Sequence, residues 1–153
     1  MSNEALQTLI NQWIPELEFT EEGVPFLTVT VPAASLHPLM HRLRNDQETC
    51  FDYLFCLTGV DWGDTLGVVY HLESTQHRHI LVVKVATEDR DNPVFHTVSD
   101  IWKTACFHER EAFDFLGITF DKHPNLKRLF LTEDWEGFPL RKDYEDNINM
   151  IVK

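Results

Sequence analysis

Apolar residues recur along this chain with two periods, and each change of period marks a new element. Leu6, Leu9, Ile10, Trp13 and Ile14 follow the i, i+3, i+4, i+7, i+8 rule, which predicts a helix over residues 3–14 with one apolar stripe. Ser2 or Asn3 is placed to cap its start, and Pro15 ends it. Two short strands are expected near 17–20 and 26–31, with Glu21-Glu22-Gly23 as the turn between them. Ser35 is expected to cap a second helix over 36–46. Leu36, Leu39, Met40 and Leu43 form its stripe, and Pro38 falls in the first turn, where a missing N–H has no partner to lose.

The period then shortens to two. Strands are expected over about 51–60, 66–74 and 79–87. Tyr53, Phe55 and Leu57 alternate in the first of these, and Leu66, Val68, Tyr70 and Leu72 in the second. Ile80-Leu81-Val82-Val83 is apolar on both faces, which places the third at the centre of the sheet. The links Trp62–Thr65 and Thr75–Arg78 are short enough for an antiparallel meander. Thr97 or Ser99 caps a third helix that runs to Gly117, a residue suited to end it.

The order α-β-β-α-β-β-β-α predicts a two-layer α+β domain over 1–118, with helices packed on a largely antiparallel sheet. A long irregular C-terminal tail, 119–153, belongs to the same single domain. It is rich in Phe, Trp and Leu without helical or strand period, so it is expected to lie along a partner protein. On that reading, truncation after Gly117 leaves a soluble domain that no longer joins its complex.

One position in the third helix breaks the pattern. Val98, Ile101, Trp102, Ala105, Ala112, Phe113 and Leu116 share a face at about 100° per residue, and Glu109 falls in the middle of it. A buried carboxylate costs several kcal/mol unless a cation or a set of N–H donors meets it. Arg128 and Arg141 are the cations in reach. The alternative is a kink near Phe107 that turns Glu109 outward. Asp114 follows Arg110 at i+4, so these two can pair along the helix.

Composition narrows the function. Against 13 Lys plus Arg stand 25 Asp plus Glu, a net charge of -12, which disfavours nucleic acid as a partner. Cys50, Cys56 and Cys106 form no Cys-x-x-Cys pair and read as reduced thiols. Neither a phosphate-binding glycine loop nor a G-x-S-x-G elbow occurs. The chain carries no run of about 18 apolar residues and no targeting layout at its start, which predicts a cytosolic protein or one docked to a membrane through a partner. Two metal readings compete with a purely structural one. His108, Glu111 and His123 could ligate an ion in a small metal-dependent enzyme, with Glu109, Glu111 and Asp114 as acid–base carboxylates. His37 and His41 are spaced i, i+4 but lie beside the apolar stripe with no third ligand implied.

A resemblance covers the last quarter. Glu109-Arg110-Glu111-Ala112-Phe113-Asp114, then Gly117-Ile118, His123-Pro124, Leu126-Lys127-Arg128 and Pro139-Leu140-Arg141-Lys142-Asp143-Tyr144 closely resemble the signature of the C subunit of NADH:quinone oxidoreductase, respiratory complex I. Three positions depart from it: Lys122 stands where Gly or Asn is commoner, Glu145 where Pro is usual, and His108 where an aromatic or apolar residue is frequent. The resemblance implies a cofactor-free structural subunit of the hydrophilic arm of a proton-pumping enzyme. FMN and iron–sulfur clusters are then held by partner subunits, and the chain docks on the quinone-site D subunit. It also implies a place peripheral to the bacterial inner membrane, on its cytoplasmic side. Membrane-bound hydrogenases carry similar subunits. Phe130, Trp135, Phe138 and Tyr144 are the expected aromatic anchors on a partner, and Arg128, Arg141 and Lys142 are expected to pair with partner acids or with Glu109.

Overall fold

A computed structural model describes residues 1–146 and 148. The elements run α1 (Asn3–Trp13), β1 (Glu18–Thr20), β2 (Thr28–Thr30), α2 (Ala33–Asn45), β3 (Tyr53–Asp61), β4 (Leu66–Ser74), β5 (His79–Thr87), β6 (Val94–His96), α3 (Ala105–Leu116) and β7 (Thr119–Asp121). A five-stranded sheet has the order β1-β2-β5-β4-β3, so the strand apolar on both faces is central as expected. Its pairs are antiparallel except β2 with β5, which is parallel. The α+β class and the meander follow the sequence reading.

The helices cover one face of the sheet. Leu6 and Ile10 of α1, the stripe Leu36, Leu39, Met40 and Leu43 of α2, and Ala105, Ala112 and Leu116 of α3 meet Leu57, Val68, Tyr70, Leu81, Val83 and Val85 in one core. Arg42 lies over the Trp13 ring at 4.3 Å and ties α1 to α2. Gly59 of β3 lets α3 approach closely: a Cβ there would stand 2.6 Å from the Leu116 side chain.

Three local expectations change. Ser2 caps α1 by accepting the Ala5 N–H, but Ser35 caps nothing: α2 begins two residues earlier, after Pro32, and the Ser35 N–H donates to the Pro32 carbonyl. Pro38 is therefore inside the helix rather than in its first turn, at an exposed position. The third helix does not start at Thr97 or Ser99. Residues 98–104 are turns, with the Ile101 and Trp102 N–H groups both reaching the Val98 carbonyl, and regular helix begins only at Ala105.

A second, two-stranded sheet was not foreseen. β6 pairs parallel with β7, Phe95 opposite Phe120. The stretch expected to open an irregular tail thus begins with a strand, and Ile118 and Phe120 are core residues at 0% and 2% exposure. A chain ending at Gly117 loses both side chains and half of this sheet. We expect such a fragment to be unfolded by circular dichroism, where the sequence alone suggested a soluble domain. Burying an Ile and a Phe side chain is worth about 2 kcal/mol each, a large part of a typical net stability.

Candidate functional site: a charged latch between the last helix and the tail

The motif residues of α3 point into the molecule. Glu109 is fully buried, and no kink turns it outward. Its partners are not arginines: Oε2 accepts the Thr97 hydroxyl at 2.6 Å and Oε1 accepts the Val98 N–H at 2.8 Å. The carboxylate therefore takes the Val98 N–H ahead of α3, while the Thr97 hydroxyl accepts the next one, from Ser99, at 3.1 Å. His123, its side chain also buried, stands with Nε2 3.7 Å from Glu109 Oε2. That nitrogen is 3.0 Å from the Cys106 carbonyl, while Nδ1 accepts the Asn125 N–H at 3.0 Å. Accepting at Nδ1 assigns the ring proton to Nε2 and makes Cys106 O its acceptor. The Tyr70 hydroxyl is buried near this group and has no hydrogen-bond partner among the described residues. Burial pushes the Glu109 carboxyl up to about 7 against its two donors, and the Asp100 charge adds to the rise.

One helical turn further, Asp114 organises the tail. It is fully buried and accepts three successive backbone N–H groups on Oδ2, from Leu129 at 3.1 Å, Phe130 at 2.7 Å and Leu131 at 3.1 Å. Arg128 approaches Oδ1 at 3.2 Å and also donates to the carbonyls of Asp114, Trp135 and Gly137. Burial alone would raise this carboxyl. The donors from Phe130 and Leu131, the Arg128 guanidinium and the Leu129 N–H outweigh it and hold it below the usual carboxylate range. The expected Arg110–Asp114 pair is absent: Arg110 instead donates to the carbonyls of Lys127 and Arg128.

A third carboxylate closes the far end. Asp61, at the end of β3, receives both Nη atoms of Arg90 at 2.7 and 2.9 Å, the Gly63 N–H at 2.8 Å and the Lys142 N–H at 2.9 Å. Arg90 beside it holds its carboxyl well below the usual range. Arg141 donates to the carbonyls of Leu116 at 2.7 Å and Arg90 at 2.8 Å. The Phe138 ring sits between Arg128 and Arg141, 5.1 and 5.2 Å from their guanidinium carbons. It also covers Gly117, which ends α3 at φ +70. A Cβ at 117 would lie 2.6 Å from the Phe138 ring and 2.9 Å from Arg141 Nη2. Gly117→Ala is therefore expected to cost about 2 kcal/mol in denaturant unfolding, from the left-handed backbone and the displaced ring together.

The signature residues thus bond mostly to their own chain. Of the four expected aromatic anchors only Phe130 is strongly exposed. Trp135, Phe138 and Tyr144 are half-buried, with the Tyr144 ring against Gly137 and its hydroxyl on Asp146. Pro139 is half-buried, Leu140 and Pro124 are exposed, and Asp143 reaches Arg90 at 3.5 Å. Lys122 has φ +63, which accounts for the commoner Gly or Asn at that turn: a lysine there carries about 1 kcal/mol of strain. Glu111 is exposed, His108 Nδ1 faces the Leu57 backbone, and His123 faces Cys106. The two histidines of the trio proposed as metal ligands thus face backbone groups while Glu111 faces solvent, and no group of three His, Cys, Asp or Glu side chains among the described residues is arranged to hold an ion. His37 does gain neighbours that its spacing could not show: Asp100 at 2.8 Å and the His96 ring at 4.0 Å. The three thiols are free and half-buried.

Asp61, Arg90 and Thr97 were missed. Asp61 and Arg90 are 29 residues apart, and neither sits in a periodic pattern that its burial would interrupt. Thr97 was read as a helix cap, while its hydroxyl serves the carboxylate twelve residues on. Glu109 was legible because it replaces an apolar residue in a stripe.

Residues 29–148 match the family model described as the respiratory-chain NADH dehydrogenase 30 Kd subunit. The C/D subunit of NADH-quinone oxidoreductase from Phocaeicola vulgatus is 50% identical over 122 residues, covering 79% of this chain and 23% of that protein. The C subunit of the same enzyme from Chloroherpeton thalassium is 45% identical over 124 residues, 80% of this chain and 51% of its own length. The chain therefore spans between a quarter and a half of these relatives. Among solved structures, a chain of an archaeal respiratory membrane complex, the membrane-bound sulfane sulfur reductase, superposes with a TM-score of 0.78 at 26% identity, covering 93% of this chain and 85% of that one. With a family match over most of its length and the motif residues in place, the chain belongs to the C-subunit family of complex I, the 30 Kd subunits of respiratory NADH dehydrogenases.

Proposed function

We propose that this chain is a cofactor-free structural subunit of the hydrophilic arm of a proton-pumping NADH:quinone oxidoreductase, docked on the quinone-site D subunit. In this reading it carries no reacting group. It stabilises the arm at the cytoplasmic side of the bacterial inner membrane, while FMN and iron–sulfur clusters sit in neighbouring subunits. The observation that supports it is the use to which the signature charges are put. Asp114, Arg128 and Arg141, together with Asp61 of β3, spend their polar atoms holding the tail to α3 and β3, while Glu109 ties α3 to the turns before it, as a rigid scaffold requires. The joining of C and D parts in one polypeptide in the Phocaeicola relative supports the D subunit as the neighbour. Among the described residues no helix is long and apolar enough to cross a membrane, so in this reading contact with the bilayer comes through the complex.

The test is purification of the native assembly through a tag on this chain, with mass spectrometry of what accompanies it. The proposal expects the D subunit and the flavin and iron–sulfur subunits. Stoichiometric flavin or iron in the isolated chain would overturn the cofactor-free role. A second reading is favoured by the sulfane sulfur reductase likeness: the same scaffold role in a related membrane complex, such as a membrane-bound hydrogenase. Co-purifying hydrogenase or sulfur-reductase subunits in place of NADH-oxidising ones would select it.

A further inference from the structure

We propose that the outward ridge of Phe107, Phe115, Phe130 and Leu140 is the face that binds the D-type subunit, and that the partner meets it with an apolar surface rimmed by basic residues. This rests on the partner named above. Phe107, Phe130 and Leu140 are 60%, 66% and 63% exposed, a concentration of large apolar groups that water-facing surfaces rarely keep. They are not loosely held. Phe130 stacks on Phe115 of α3 with ring centroids 5.7 Å apart and planes 11° from parallel. Its N–H is one of the three on Asp114, and the Leu140 N–H donates to the Phe115 carbonyl at 3.0 Å. The latch therefore fixes Phe130 and Leu140 of the tail against Phe115 of α3 as one rigid apolar surface, with Phe107 exposed about two turns earlier on the same helix. A surface so fixed loses little conformational freedom on binding. Beside it a groove runs between Leu57, Gly59, Ala112 and Leu116, with Leu140 on its edge.

Charge selects the kind of partner. The arginines of this region face inward, Arg110, Arg128 and Arg141 each on backbone carbonyls. From Glu111 to Glu145 the exposed charges are seven acids against three lysines. An exposed apolar surface on a stretch whose exposed charges are mostly acidic, with Glu111 lining the groove beside Leu140, fits a basic-rimmed apolar surface. The competing face is the sheet surface opposite the helices, between Phe26, Val60, Trp62, Val69 and Val82. There Val69 and Val82 are only 9% and 5% exposed within the chain itself, while Trp62 is 40% exposed, so this face is the control that the experiment carries.

The experiment co-expresses the chain with the D-type subunit of its own organism and measures their binding. A double variant, Phe130→Asp with Leu140→Asp, is compared with Val60→Asp on the other sheet face. Circular dichroism melts confirm that each variant is folded, and Phe130→Ala serves if the double variant is not. The double variant is expected to bind on the order of 100-fold more weakly, and Phe130→Ala about 10-fold, while Val60→Asp binds as wild type. If wild type binds the D subunit and the ridge variants bind equally well, or Val60→Asp abolishes binding, the docking face is elsewhere and the partner reading survives. If wild type does not bind the D subunit, the partner reading itself fails. Light scattering on the isolated chain covers the remaining occupant: a dimer dissolved by the ridge variant would assign the ridge to a second copy and overturn the proposal.

Discussion

Replacing Asp114 with alanine is expected to lower stability by about 3–5 kcal/mol, because it removes one member of a buried, hydrogen-bonded charge pair and leaves the rest unpaired. The variant strands three N–H groups, from Leu129, Phe130 and Leu131, together with the Arg128 guanidinium, whose side chain is only 12% exposed. At this chain length that corresponds to a fall in Tm of about 10 °C. Asp114→Asn keeps an acceptor for the N–H groups and loses the charge, so it should fall between wild type and alanine. Differential scanning calorimetry of the three proteins checks the order. A Tm within a degree or two for Asp114→Ala would mean that the tail is held by something other than this carboxylate. The effect should be larger than that of Arg110→Ala, since Arg110 meets two backbone carbonyls and the exposed Phe107 ring and lies partly in solvent.

The second large effect is a pH dependence carried by Glu109. Its carboxyl titrates near 7 in the folded chain against 4.5 as a free side chain. A raised folded-state value means that the native protein binds the proton more tightly than the unfolded chain. Stability from this group is therefore fully present below about 4.5 and is lost as pH rises through about 7. The shift corresponds to about 3 kcal/mol across that window. Glu109→Gln removes the titration and keeps the shape. Its carbonyl can accept the Val98 N–H and its amide can donate to Thr97 Oγ1. Unfolding free energies from urea titrations between pH 5 and 8 should fall for wild type and stay nearly level for the variant, so that Gln is the more stable above pH 7. Parallel slopes for the two proteins would remove Glu109 as the cause. The sequence reading that pairs a buried Glu109 with Arg128 or Arg141 leads instead to a loss of stability in Glu109→Gln. That expectation presumed an arginine partner, whereas the actual donors are a hydroxyl and an amide, which serve a neutral side chain as well.

Legibility followed the range of the interactions. Of the stripe, Val98, Trp102, Ala105, Ala112 and Leu116 are buried and Ile101 and Phe113 half-buried, although residues 98–104 are not regular helix. Turns with N–H groups reaching back three or four residues keep nearly the helical pitch, so periodicity reports the buried face and cannot report the hydrogen bonding that fixes a helix start. Gly117 was readable because a left-handed helix end favours glycine, and the structure adds Phe138 as a second reason. β6 and β7 were not readable. Each has three residues, too few for alternation, and their partners are separated by a turn region and the whole of α3. The contacts of the tail within the chain were unreadable for a related reason: its composition announces that it is covered but cannot name the side chains on α3 and β3 that hold it. The Asp114 bonds span 15 to 17 residues and the Asp61–Lys142 bond spans 81, distances at which a sequence pattern carries no register.

Hydrogen exchange on the isolated chain, read amide by amide, tests the latch most directly. If Asp114 and Asp61 hold the tail without any partner, the N–H groups of Leu129, Phe130, Leu131 and Lys142 should exchange far more slowly than an open chain, with the first three deprotected together in Asp114→Ala. Exchange of all four at the rate of an unstructured peptide in the wild-type chain would show that the tail takes its order from another protein of the assembly.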